Sequence, residues 1–180
     1  MKIIKLNTAG VICSIKEHMF MKDELLDIIS KTKSEKIDDG IHKIEKLDWT
    51  KSKSYEKQYF LVLYNYIKPY LEEVTANLKC KFCDIADVWF QQYQPGDIHD
   101  WHLHPKTTWQ AVYYLEMNGE ELETELYDIY EQKIIKTNVK EGDLFVFPGN
   151  MIHRAPKNKS NNRKTVITFN LDFDSPDLTK

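Results

Sequence analysis

Three histidines crowd into six residues, His99, His102 and His104, and a fourth, His153, stands alone after a Pro148-Gly149 turn. Neutral imidazole is a ligand for divalent transition metals. On a strand, side chains two residues apart project from the same face about 7 Å apart, so His102-Leu103-His104 reads as a two-ligand clamp. A third ligand must come from another strand, and His153 is the candidate. It closes Gly142-Asp-Leu-Phe-Val-Phe-Pro148-Gly149-Asn-Met-Ile-His153, a strand followed by a tight turn that re-aims the chain. Three protein ligands leave positions for water, substrate or oxygen. His99 is out of phase with His102 and belongs at the rim; Asp100, in phase, is a candidate carboxylate behind the ligands. His18 and His42 lie in charged surroundings and read as surface or hydrogen-bonded core residues.

The elements that must position these residues run helical first and stranded afterwards. From Met21 to Lys33 the apolar Leu25, Leu26, Ile28 and Ile29 recur at helical intervals above a charged face. Residues 34–50, with Asp38-Asp39-Gly40, read as loop. Ser52 or Ser54 is suited to cap a second helix that continues to Leu78, with Pro69 expected to kink or restart it near Ile67-Lys68. Beyond residue 80 the period becomes two. Val88, Phe90 and Gln92 alternate with Trp89, Gln91 and Tyr93, followed by segments 109–115, 122–130, 133–139, 143–147 and 163–173 between turn signals such as Asn118-Gly119 and Pro148-Gly149-Asn150. Short strands of this kind predict a β-sandwich or open barrel with helices packed outside, an α+β arrangement that is mainly β.

The chain's 180 residues, 42% hydrophobic and 29% charged, suffice for one core. A single domain over 1–180 is expected, with 1–79 a mostly helical buttress and 80–173 the β core. Twenty-five basic against 28 acidic side chains give a formal charge of −3, so nucleic acid is not an expected partner. Apolar runs such as Tyr59–Tyr64 and Leu144–Phe147 are too short to cross a bilayer, and the amino terminus lacks the apolar stretch of a signal peptide. A cytoplasmic protein with no membrane partner is expected. Cys13, Cys80 and Cys83 are an odd, sparse set that suits a reducing compartment. Cys80-x-x-Cys83 reads either as two small residues at a strand start or as half of a zinc or redox motif without its second half.

With these motifs the sequence resembles the Fe(II)/2-oxoglutarate-dependent oxygenase superfamily, in particular its prolyl-hydroxylase-like branch, over roughly residues 86–173. Tyr93-Gln-Pro-Gly96 precedes His102-Leu-His104 at the family's interval, Tyr113-Tyr114-Leu115 matches its Tyr-Tyr-Leu strand, and Gly142 to Pro148 matches the turn before the distal ligand His153. The resemblance implies a double-stranded β-helix, the jelly-roll or cupin-like core, with the amino-terminal helices against one sheet. It implies Fe(II) held by His102, His104 and His153, with 2-oxoglutarate and O2 as cosubstrates. Arg163, ten residues after His153, is then the partner of the remote carboxylate, with Tyr114, Tyr93 or Thr165 adding a hydroxyl. The alternative for Arg163 is a place in the basic loop 157–164, pointing to water. Where most of the superfamily has a carboxylate this chain has His104, which leaves the site one negative charge short until the two carboxylates of 2-oxoglutarate compensate.

The implied activity is hydroxylation with release of succinate and CO2, on a small-molecule or peptidyl substrate, possible prolyl side chains included. Trp101, Trp109 and Gln110 flank the expected opening and are suited to stack on or hydrogen-bond a substrate. Two other classes stay open: a cupin-type three-histidine dioxygenase that does not use 2-oxoglutarate, and a metal-free binding or virion-associated module on the same fold.

Overall fold

The computed structural model describes residues 9–49, 56–80, 83–104, 107–119 and 122–173. Its elements run β1 (Val11–Ser14), α1 (His18–Lys31), β2 (Glu35–Asp38), β3 (Lys43–Leu47), α2 (Gln58–Asn77), β4 (Cys83–Tyr93), β5 (His99–His102), β6 (Trp109–Met117), β7 (Glu125–Asp128), β8 (Lys133–Lys136), β9 (Asp143–Pro148), β10 (His153–Ala155) and β11 (Lys164–Phe173). The strands form two antiparallel sheets, a seven-stranded one in the order β1-β9-β6-β11-β4-β3-β2 and a four-stranded one in the order β5-β10-β7-β8. This is the jelly-roll double-stranded β-helix with two helices outside.

Alternation along the long strands decides which residues reach which layer. Val88 and Phe90 of β4, Ala111, Tyr113 and Leu115 of β6, Leu144 and Val146 of β9, and Ile167, Phe169 and Leu171 of β11 form one apolar cluster with both helices. The intervening residues Tyr93, Val112, Tyr114, Phe145, Phe147 and Val166 form a second cluster on the opposite face, with Leu126 of the small sheet. The large sheet is thus buried on both faces.

The first helix places Met21, Leu25 and Ile29 at four-residue intervals, all fully buried, which is the spacing of one helical face. In α2 the helix runs through Pro69 without interruption. Proline frees the carbonyl four residues back, here that of Asn65. Both residues are on the exposed side, where water can take the place of the missing donor. The serines expected to cap this helix, Ser52 and Ser54, lie outside the described residues; the helix begins at Gln58 after Lys57.

Within the stretch expected to be loop, Glu35–Leu47 is a hairpin. The strands β2 and β3 pair around Gly40, which takes a φ of +87°. Only Ile37, Ile44 and Leu47 mark them as apolar, and the charges between them hide the alternation. With β1, they make the amino-terminal part a contributor of strands as well as of helices. Just beyond β3, fully buried Asp48 accepts the Phe90 amide at 2.9 Å and the Tyr59 hydroxyl at 2.8 Å, with the Lys57 ammonium at 3.1 Å. One carboxylate therefore ties β3, α2 and β4 together, since a buried charge is tolerated only when paired and hydrogen-bonded. Among the described residues no helix is long and apolar enough to cross a membrane.

Candidate active site

The pairing of β5 with β10 sets His102 directly opposite His153, their ring centroids 4.2 Å apart. His104 is not on the strand with His102, as the spacing had suggested; β5 ends at His102. The chain beyond is held to the distal turn instead, through the His104 amide on the Gly149 carbonyl at 2.9 Å and the Gly149 amide on the Thr108 carbonyl at 3.0 Å. Gly149 is required there, because a Cβ would lie 2.7 Å from the Thr107 carbonyl oxygen and 3.2 Å from that of His104. The result brings ligand atoms of His102, His104 and His153 within 4.8 Å of one another.

The tautomers of two of the three follow from their partners. The Nδ1 of His102 lies 2.6 Å from the Asp100 carbonyl, and that of His153 lies 2.8 Å from the Met151 carbonyl. A carbonyl only accepts, so each Nδ1 carries the proton and each Nε2 presents a lone pair. Asp100 supports the ligand through its backbone; its carboxylate accepts the Trp101 amide. Burial pushes the His153 imidazole down to about 3 and that of His104 to about 4, and lowers His102 as well. All three are neutral at physiological pH, the form that binds a metal. Three convergent neutral imidazoles fit a divalent transition metal such as Fe(II).

A pocket that opens to solvent lies in front of them. Its walls include Trp89, Gln91, Tyr93, His99, Gln110, Thr124, Lys164 and Thr168. The Trp89 ring stacks on that of His104 at 5.8 Å, and Trp49, largely exposed, lies 6.0 Å from Trp89. His99 stacks on His102 at 3.8 Å, and His42 packs edge-on against His99 at 4.9 Å. His18 is a buried hydrogen-bonded residue on the helix side, its Nδ1 2.6 Å from the Tyr113 hydroxyl.

Arg163 is not in the pocket. It precedes β11 and forms a two-pronged ion pair with Glu116, at 2.8 and 3.1 Å. Thr165 joins that network, donating to Glu116 at 2.8 Å, rather than lining the pocket. The phase shared by Arg163, Thr165, Ile167 and Phe169 does lead inward, but toward the helices. Lys164, with Val166 and Thr168, has the other phase and faces the histidines. Its side chain is 3% exposed, and its ammonium hydrogen-bonds the Leu122 carbonyl between the rings of Tyr93 and Tyr114, whose centroids are 5.4 and 5.5 Å away. Among the described residues no carboxylate forms an ion pair with it; burial pushes its pKa down to about 7, against the weaker opposing pull of the Glu123 carboxylate. A buried cation in this state fits an anionic ligand.

The remaining candidates divide. Tyr93 lines the pocket, whereas the buried Tyr114 hydroxyl donates to Thr124 at 2.6 Å and presents its ring to Lys164. Trp101 is not in the pocket lining but packs under Arg154, which is, with the guanidinium carbon 4.4 Å from the ring centroid. Trp109 packs against Phe173 at 5.5 Å on the helix side and does not flank the opening. Gln110 lines the pocket beside His104. Cys80 and Cys83 are unbridged, and burial raises the Cys83 thiol to about 12, opposite to what a redox pair needs.

No family model matches the sequence, and no curated protein matches it. Solved structures do match over nearly the whole chain. An oxidoreductase of the 2OG-Fe(II) oxygenase family from Burkholderia pseudomallei superposes with a TM-score of 0.73 at 10% identity, covering 91% of this chain and 85% of that one. A prolyl-4-hydroxylase from Pseudomonas putida gives 0.66 at 11% identity, covering 91% and 92%. The viral collagen prolyl hydroxylase of Paramecium Bursaria Chlorella virus-1, solved with 2OG, gives 0.62 at 15% identity, covering 92% and 96%. With its two antiparallel sheets, outer helices and inward-facing histidine triad, the chain has the fold of the 2OG-Fe(II) oxygenases.

Proposed function

We propose that the chain is an Fe(II)- and 2-oxoglutarate-dependent oxygenase in which Lys164, not Arg163, receives the remote carboxylate of the cosubstrate. The observation that carries this reading is the buried ammonium of Lys164, held by a carbonyl and in no direct ion pair among the described residues, in the same pocket as three convergent imidazoles. The Nε2 atoms of His102 and His153, with His104, would hold the ion. When bound, Fe(II) and 2-oxoglutarate supply O2 activation, in which one oxygen atom enters the succinate formed with CO2 and the other hydroxylates a substrate C–H bond.

This chain's residues bind, orient and exclude water. Lys164 pairs with the far carboxylate and so fixes the direction of the keto acid; Tyr93 and Tyr114 wall its ammonium from solvent. The Tyr114 hydroxyl, engaged with Thr124, holds that wall in place. Trp89 in the pocket wall offers apolar surface to a substrate, with small molecules and peptidyl side chains, prolyl among them, as the classes to test. A three-histidine dioxygenase that needs no 2-oxoglutarate accounts for the triad but leaves Lys164 without an anion.

Purification with Fe(II) under anaerobic conditions, followed by succinate release against a panel of peptides and amino acids, tests the reading. Lys164→Ala should weaken 2-oxoglutarate binding while Arg163→Ala leaves it unchanged. Wild-type protein that binds Fe(II) but not 2-oxoglutarate would exclude it.

A further inference from the structure

The three imidazoles are not held alike. His102 and His153 each have Nδ1 pinned to a carbonyl two residues back, which leaves Nε2 free toward the site. The Nε2 of His104 is instead 3.0 Å from the side-chain amide nitrogen of Gln110. An amide nitrogen only donates, so with the amide in this orientation Nε2 accepts and the ring proton sits on Nδ1, which leaves His104 no free lone pair for an ion. Gln110 is 1% exposed, and its Oε1 is buried without a hydrogen-bond partner among the described residues. Its hold on His104 therefore leaves that oxygen without a protein partner, and a rearrangement that supplied one would be favoured.

We infer that Gln110 is a positioning residue that makes His104 the labile ligand of the triad: metal must displace the amide from His104 Nε2, whereas His102 and His153 stand ready. The inference rests on the metal reading above and concerns how the third ligand joins. Loading then proceeds on the cross-strand pair first, and His104 closes the set as the amide withdraws.

Affinity for Co(II) and Zn(II), measured by competition with a chromophoric chelator on the folded full-length chain, tests it. Gln110→Leu, which keeps the bulk and removes the donor, should bind both ions about fivefold to tenfold more tightly, the effect of deleting one competing hydrogen bond. The gain should vanish in the Gln110→Leu/His104→Ala double variant, a coupling that general loosening of the core would not produce. His104→Ala alone should weaken binding about tenfold or less, and His102→Ala or His153→Ala by more than about a hundredfold. Should Gln110→Leu fail to fold, Gln110→Met serves the same comparison. Imidazole nitrogen NMR before metal is added should report His104 Nε2 as an unprotonated acceptor.

Equal or weaker binding by the Gln110 variants, a gain that survives loss of His104, or a protonated His104 Nε2 would overturn the inference while leaving the metal site standing. A folded wild-type chain that takes up neither ion would remove the oxygenase reading and this inference with it.

Discussion

The seven-stranded sheet has two faces built by alternate residues of the same strands, and they differ in kind. Toward the helices β11 presents Ile167, Phe169 and Leu171, all fully buried in an apolar cluster. Toward the small sheet it presents Lys164, Val166 and Thr168, and β4 and β6 add Trp89, Gln91 and Gln110 around the histidines. Both faces are dry. One satisfies burial by hydrocarbon packing, the other buries a cation and neutral imidazoles that burial destabilises. Stability and chemistry are thereby separated by a single residue of strand phase, and a substitution's effect should depend on which face it strikes.

The largest effect should come from the site face. His153→Ala removes the ligand opposite His102 and should reduce Fe(II) or Co(II) affinity by more than about a hundredfold, with the protein still folded by circular dichroism; retained metal content would break the contrast. On the helix face, Phe169→Ala should lower unfolding free energy by about 3–5 kcal/mol, read from urea denaturation, while the folded fraction keeps its metal affinity.

Next in size is the neighbouring pair on β11. Lys164→Ala should raise the dissociation constant for 2-oxoglutarate by about tenfold to a hundredfold. Arg163→Ala, which breaks a partly exposed pair with Glu116, should cost about 1 kcal/mol of stability or less and leave cosubstrate affinity alone. Calorimetric titration of both variants decides between the two phases.

The smallest effects are in pH dependence. Lys164 has a folded pKa of about 7 against an ordinary 10.5, so between those values the unfolded chain binds the extra proton and stability should rise with pH. Lys164→Met should flatten that rise in thermal unfolding between pH 7 and 10, and wild-type affinity for 2-oxoglutarate should fall as pH climbs through 7. The buried imidazoles act at the other end. His153 and His104, held to about 3 and 4 against an ordinary 6.5, leave the folded chain with fewer protons than the unfolded one below that value, so stability should drop as pH falls from 6.5. Replacing His153 with Ala should make that decline shallower.

The order of residues along the chain was enough to find the histidines that meet, because His102 and His104 are close in sequence and His153 follows a turn whose Pro148-Gly149 signal is local. It was enough for a mainly β core as well, since alternation over β4, β6, β9 and β11 is visible without partners. The hairpin β2–β3 was hidden, because Lys and Glu between its few apolar residues look like solvated loop. Which of Arg163 and Lys164 faces the pocket belonged to the tertiary structure alone. Lys164 opens the strand and Arg163 stands just before it, and when both faces of a sheet are buried, alternation does not say which face looks at the helices and which at the site. Register with β4 and β6 settles it: pairing places Ile167 and Phe169 against the helices, so Lys164 must turn the other way, and the same geometry sets Gln110 against His104.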